Sequence, residues 1–202
     1  MSLTARQKFL VGKRRIVVKV GSSLLAQSPV GMPAAIADEL KSLMSMGVEC
    51  VVVSSGAIAL GLPTLGFDKR PSDLPSLQAA AAVGQNRLLQ NWEHAFAAHG
   101  TSIAQILLTH EDLAHRGRFL NARHALRALL DKGVVPIINE NDSVMTDEIT
   151  VGDNDQLASQ VAKLTGADRL VLLSSVDGLL DADGTPVPEV RPGDTAEDLI
   201  SS

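Results

Sequence analysis

A chain of 202 residues with 45% hydrophobic content can bury one substantial core, in one domain or at most two. Its 18 Lys and Arg against 23 Asp and Glu leave a net charge of −5, which argues against a nucleic-acid partner, since such partners select basic faces with aromatic stacking platforms. With 2% aromatics, no Tyr and one Trp, the core must be filled by Ala, Val, Leu and Ile, a composition suited to strands covered on both faces.

The single cysteine, Cys50, lies within Val48-Glu-Cys-Val-Val-Val53 and reads as a small buried strand residue; no disulfide framework is possible within the chain. Arg6, Lys8, Lys13, Arg14 and Arg15 break up the N-terminal stretch, which offers no signal-peptide core. No apolar run approaches the ~18 residues of a membrane span. A cytoplasmic protein without a membrane partner is expected, and the sequon at Asn141-Asp-Ser143 is read as coincidence.

In chain order, Arg15–Val20 reads as a strand that delivers Lys19 and breaks into Gly21-Ser22-Ser23. Such a turn is either an ordinary strand end or a phosphate cradle, with backbone N–H groups around the phosphoryl oxygens and the lysine neutralising their charge. Pro33–Met46 reads as a helix closed by Gly47, and Glu49–Ser54 as a second strand. Ser55-Gly56-Ala57 then opens a helix; its N–H groups and hydroxyl suit a carboxylate, or the small residues serve close packing. Leu65–Leu74 reads as a mobile surface loop. Pro75–His99 is a long Ala-rich helix closed by Gly100, with Gly84 as a weak point, followed by a strand at Ser102–Leu108.

Leu120–Lys132 reads as a helix and Val134–Ile138 as a buried strand, followed by a loop over Asn139–Gly152. Three Asn, four Asp and two Glu crowd residues 139–155: Asn139, Glu140, Asn141, Asp142, Asp147, Glu148, Asp153, Asn154 and Asp155. Such a segment is either a solvated acidic loop or a site for an ammonium, a metal–nucleotide or an active-site lysine. It follows the carboxyl end of a strand, where open α/β sheets bind ligands. Asn154–Thr165 and Arg169–Leu173 supply a last helix and strand, Asp181-Ala-Asp-Gly184 a plain hairpin turn, and Thr195 the start of a further helix. Strand–helix alternation with Gly-terminated helices implies parallel right-handed crossovers, hence an α/β three-layer αβα sandwich with a mainly parallel sheet. No P-loop, zinc-protease or nucleophile-elbow motif is present.

Taken together, Lys19-Val-Gly-Ser-Ser23, Val53-Ser-Ser-Gly-Ala-Ile-Ala59, Ala82-Val-Gly-Gln85, Arg118-Phe-Leu-Asn-Ala-Arg123, Ile138-Asn-Glu-Asn-Asp142, Val151-Gly-Asp-Asn-Asp155 and Val176-Asp-Gly178 resemble the amino-acid kinase family, in particular its members that phosphorylate L-glutamate. The resemblance spans nearly the whole chain. It implies transfer of the ATP γ-phosphoryl group to the glutamate side-chain carboxylate, giving γ-glutamyl phosphate in the first step of proline synthesis. It further implies Lys19 and Asp155 as catalytic residues, and Ser55, Gly56, Ala57, Asn139, Asp142, Asp153 and Asn154 as substrate contacts. Lys19, Gly21, Ser22, Ser174 and Ser175 would meet the nucleotide, brought in as ATP with Mg²⁺, and no protein-held metal is implied.

Proline as feedback inhibitor, a homo-oligomer and coupling to glutamyl phosphate reductase are implied in the same way. The family usually carries Thr-Asp where Ser174-Ser175 stand, continues into a Gly-rich nucleotide segment, and in many members appends a PUA domain. Residues 1–202 are therefore expected to be the N-terminal and central portion of the kinase domain, truncated at its C-terminus. By itself that portion is expected to bind ATP weakly and to show little or no kinase activity. The competing expectation is a catalytically impaired glutamate- or proline-binding remnant of the same kinase.

Overall fold

The computed structural model describes residues 14–144, 153–176 and 178–190. Five strands, β1 (Arg15–Val20), β2 (Glu49–Ser54), β3 (Ile103–Leu108), β4 (Val135–Glu140) and β5 (Arg169–Leu173), form one sheet in the order β3-β4-β2-β1-β5. Every pairing is parallel, with Lys19 opposite Val53 on one side and Leu172 on the other. The helices are α1 (Ser22–Gln27), α2 (Gly31–Met44), α3 (Ala57–Gly61), α4 (Leu74–Ala97), α5 (His110–Ala114), α6 (Arg116–Asp131) and α7 (Asp153–Thr165).

Alternation along each strand sorts side chains onto two covered faces. Ile16, Val18, Val20, Cys50, Val52 and Ile137 pack against Ile36 and Leu40 of α2 and Leu88, Trp92 and Phe96 of α4. Val17, Val51, Val53 and Ile138 pack against Leu126 and Leu130 of α6 and Leu157, Val161 and Leu164 of α7. The three-layer expectation holds. The aliphatic filling holds with one addition: Trp92 and Phe96 are both fully buried, their rings 6.1 Å apart, and the Trp92 indole N–H donates to Ser54 Oγ at 2.9 Å.

Cys50 is buried as expected, and burial together with the nearby Glu49 charge pushes its thiol up to about 12. Gly47, Gly100, Gly133 and Gly166 all carry positive φ just after helices, the geometry that leaves a C-terminus without a Cβ clash. The hairpin at residues 181–184 also forms: Asp181 Oδ1 accepts from the Asp183 and Thr185 N–H groups, and Leu180 bridges Pro186.

Four expectations need correcting. Asn139 and Glu140 belong to β4 rather than to a loop, because pairing with β3 continues through Leu107 and Leu108 and holds both residues in the interior. The α6 helix begins at Arg116, four residues earlier than the hydrophobic pattern suggests, since the His115 side chain accepts from the Arg118 N–H at its N-terminus. The Gly21-Ser22-Ser23 turn immediately becomes the short helix α1, and α5 is closed by a reciprocal Thr109–Asp112 capping box. Gly84 is no weak point. A Cβ there would overlap the Ala57 carbonyl, and one at Gly61 would overlap the Ala80 carbonyl, so the two glycines let α3 and α4 touch backbone to backbone. Residues 145–152, among them Asp147 and Glu148, the side chain of Asp153, Asp177 and the helix start at Thr195 lie outside the described residues.

Candidate active site

The carboxyl ends of β1, β2, β4 and β5 converge with the first turn of α7. Lys19 shares the face of Val17, which carries α7, and its ammonium meets Asp155 Oδ1 at 2.7 Å. Lys19 is 9% exposed, while the Asp155 side chain is about half exposed, so the pair is reachable from solvent.

Gly21 follows the strand directly, its N–H donating to Leu173 O at 3.2 Å. A Cβ at Gly21 would stand 3.7 Å from Lys19 Nζ, so glycine keeps the space beside the ammonium open. Ser22 is exposed at the start of α1. Ser174 and Ser175 are exposed beyond β5, with Ser174 Oγ in contact with the Val176 backbone. A cavity of about 1020 Å³ joins Lys19, Asp155 and Ser174 to the apolar flank formed by Ile36, Leu40 and Val171.

A second set of groups runs away from this pair, across the strand ends. The Ser55 N–H donates to Val20 O at 3.1 Å, tying the end of β2 to β1. Gly56 adopts φ 102° against Leu25, a left-handed turn that glycine makes without strain, and Ala57 is buried as the first residue of α3. Asn154 Nδ2 donates to Ser55 Oγ at 2.7 Å and to Asn139 Oδ1 at 3.2 Å; Asn139 Nδ2 donates in turn to Gln85 Oε1 at 2.8 Å. Two atoms of this relay, Asn154 Oδ1 and Gln85 Nε2, are buried without a hydrogen-bond partner.

Asp142 stands apart from Lys19. It lines a smaller cavity of about 230 Å³ with Gln85, Leu107, Glu140 and the Ala81–Ala82 stretch of α4. Glu140 is 3% exposed, with His110 Nε2 3.8 Å from its Oε2.

The structure thus gathers Lys19, Gly21, Asp155 and Ser174 at one end, and Ser55, Asn139 and Asn154 at the centre, with Asp142 at the far end. Sequence reasoning gave Gln85 no role in the site, although its position offered a signal. It lies four residues after Ala81 and three before Leu88, so it is a polar side chain on the apolar stripe of a helix. Among the described residues no cluster of three His, Cys, Asp or Glu side chains could hold a metal ion, and no helix is long and apolar enough to cross a membrane.

The parallel αβα sandwich matches what comparison finds. Residues 14–200 match the amino acid kinase family, and the chain belongs to that family. Among its relatives, a glutamate 5-kinase of Pseudomonas putida is 53% identical over 186 residues, covering 90% of this chain and 50% of that protein. Another from Pseudomonas savastanoi pv. phaseolicola is 52% identical over the same shares. The chain spans about half the length of the curated relatives it matches. A solved structure of Giardia carbamate kinase shares the fold, with a TM-score of 0.58 at 17% identity, over 82% of this chain and 74% of that one.

Proposed function

We propose that this chain carries the substrate half of an ATP-dependent L-glutamate kinase, which phosphorylates the side-chain carboxylate to γ-glutamyl phosphate. The observation that carries the reading is the 2.7 Å Lys19–Asp155 pair standing beside the Ser55–Asn154–Asn139 relay at the ends of adjacent parallel strands. Identity above 50% to proteins named glutamate 5-kinase supports it.

In this reading the acceptor carboxylate needs no general base, because it is already a nucleophile. Catalysis reduces to in-line positioning and to neutralising charge on the moving phosphoryl group. Lys19 would supply the positive charge, Asp155 would aim it, and Gly21 and Ser22 would line the phosphoryl oxygens. Ser55, the Gly56 and Ala57 backbone, Asn139, Asp153 and Asn154 would hold the substrate chain, with Asp142 taking its ammonium. ATP would enter as its Mg²⁺ complex and reach the Lys19 end past Ser174 and Ser175. Proline as an inhibitor sharing the amino-acid site, a homo-oligomer in the cytoplasm, and delivery of the labile acyl phosphate to a reductase belong to the same proposal. So does the assignment of residues 1–202 to a single kinase domain.

The test is calorimetric binding of L-glutamate together with glutamate-dependent ADP release, the product being trapped by hydroxylamine as the hydroxamate. Saturable L-glutamate binding by this chain is expected, with hydroxamate formation in a polypeptide that also carries the nucleotide half of the kinase. ADP release indifferent to L-glutamate would sink the assignment.

A further inference from the structure

Gln85 is nine-tenths buried on α4, and only half of its amide is used: Oε1 accepts from Asn139 at 2.8 Å, while Nε2 has no partner. A buried donor without an acceptor is unfavourable, because water has been removed and nothing replaces it. Nε2 belongs to a residue that borders the 230 Å³ cavity also lined by Glu140 and Asp142. That volume suits the head of an amino acid and is too small for a nucleotide.

The position along the sheet orders the substrate. Lys19 lies on β1 and Asn139 on β4, with β2 between them, so about 10 Å separates the two strand axes. The reacting carboxylate must lie toward Lys19, which leaves the opposite end of the molecule over β4 and α4. An α-amino acid presents an ammonium and a carboxylate on one carbon there. The cavity offers Asp142 and Glu140 to the first; of the two side-chain amides that line it, Gln85 and Asn141, Gln85 brings the buried donor without a partner, Nε2, to the second.

We propose that Gln85 is a specificity residue that reads the α-carboxylate of the amino-acid substrate, its free Nε2 donating to that carboxylate while its Oε1 holds Asn139. The same amide therefore couples recognition of the far end of the substrate to the Asn139–Asn154–Ser55 relay that leads back toward the reacting end. This inference rests on the reading of L-glutamate as substrate.

The test compares L-glutamate with 4-aminobutyrate, which keeps the ammonium and the reacting carboxylate but lacks the α-carboxylate. Binding of both to the wild-type chain and to Gln85→Glu and Gln85→Met is measured by calorimetry. Gln85→Glu retains an acceptor for Asn139 and replaces the donor with a carboxylate, so it separates recognition from folding. Expected is a loss of L-glutamate affinity of about 10- to 100-fold in both variants, with 4-aminobutyrate changed less than about threefold. The wild-type preference for L-glutamate would thus collapse.

Equal loss of both ligands, or unchanged L-glutamate binding in Gln85→Glu, overturns the inference while leaving the kinase reading intact. A wild-type chain that binds no L-glutamate overturns both. Should Gln85→Met fail to fold, as judged by thermal melting, Gln85→Glu alone decides.

Discussion

The two ends of the candidate site are built from opposite materials. At the Lys19 end a buried lysine pairs with a half-exposed aspartate beside a cavity of about 1020 Å³, with glycine rather than a side chain next to the ammonium. At the Gln85 end a relay of neutral amides and one hydroxyl, packed under α4, runs from Ser55 to Gln85 beside a cavity of about 230 Å³ that Glu140 and Asp142 also line. On the proposed function, the contrast suits a transfer reaction. Mobile negative charge is met best by a cation with room around it, whereas a small substrate is held best by fixed dipoles whose geometry is set before it arrives.

The largest expected effect breaks the charged end alone. Lys19→Ala should lower phosphoryl transfer by about 10³-fold or more, while L-glutamate affinity stays within about threefold. Initial-rate kinetics beside calorimetry will show whether the two ends separate; retained turnover would remove Lys19 from the chemistry. Next in size, Gly84→Ala attacks the amide end through packing. The added methyl overlaps the Ala57 carbonyl, so α3 must move away from α4.

A destabilisation of about 3 kcal/mol is expected, read from urea unfolding, together with weaker L-glutamate binding, because Ser55, Gly56 and Ala57 lead into α3. Wild-type stability in the Gly84→Ala variant would mean that the helix crossing relaxes freely. The smallest effect belongs to neither end. Cys50 is protonated in the fold up to about pH 12 against an ordinary value of 9.0, so the folded state holds a proton that the unfolded state gives up between these limits. Stability should therefore be fully present below pH 9.0 and fall as pH rises from 9.0 toward about 12. Cys50→Ala should flatten that slope without altering ligand binding, as followed by denaturation at a series of pH values.

Most of the fold was legible in local pattern. Three strands, Arg15–Val20, Glu49–Ser54 and Arg169–Leu173, coincide with their apolar runs; the first two are covered on both faces, which leaves an unbroken hydrophobic signature. Helix ends were marked by glycines at residues 47, 100, 133 and 166, each of which takes the positive φ that closes a helix. The early start of α6 escaped, because its first turn is exposed and carries no apolar period to read. The strand character of Asn139 and Glu140 escaped for a different reason. Polar residues suggest a loop by composition, and only pairing with β3 keeps them in the sheet.

Of the site, the chain by itself determined the ingredients: a lysine at a strand end followed by Gly-Ser-Ser, a Ser-Gly-Ala turn after the second strand, and amides and carboxylates between residues 139 and 155. These are local facts, written in contiguous residues. The meeting of Lys19 with Asp155, 136 positions later, and the separation of Asp142 from that pair were decided by the strand order β3-β4-β2-β1-β5, which no local run contains. So was the placement of Gln85. In the sequence it is one polar residue in an Ala-rich helix, and only the packing of α4 over β4 brings its amide to Asn139 and leaves its N–H groups beside the smaller cavity. Periodicity reports which face of an element is buried; what lies opposite that face depends on topology, because the partners arrive from distant parts of the chain.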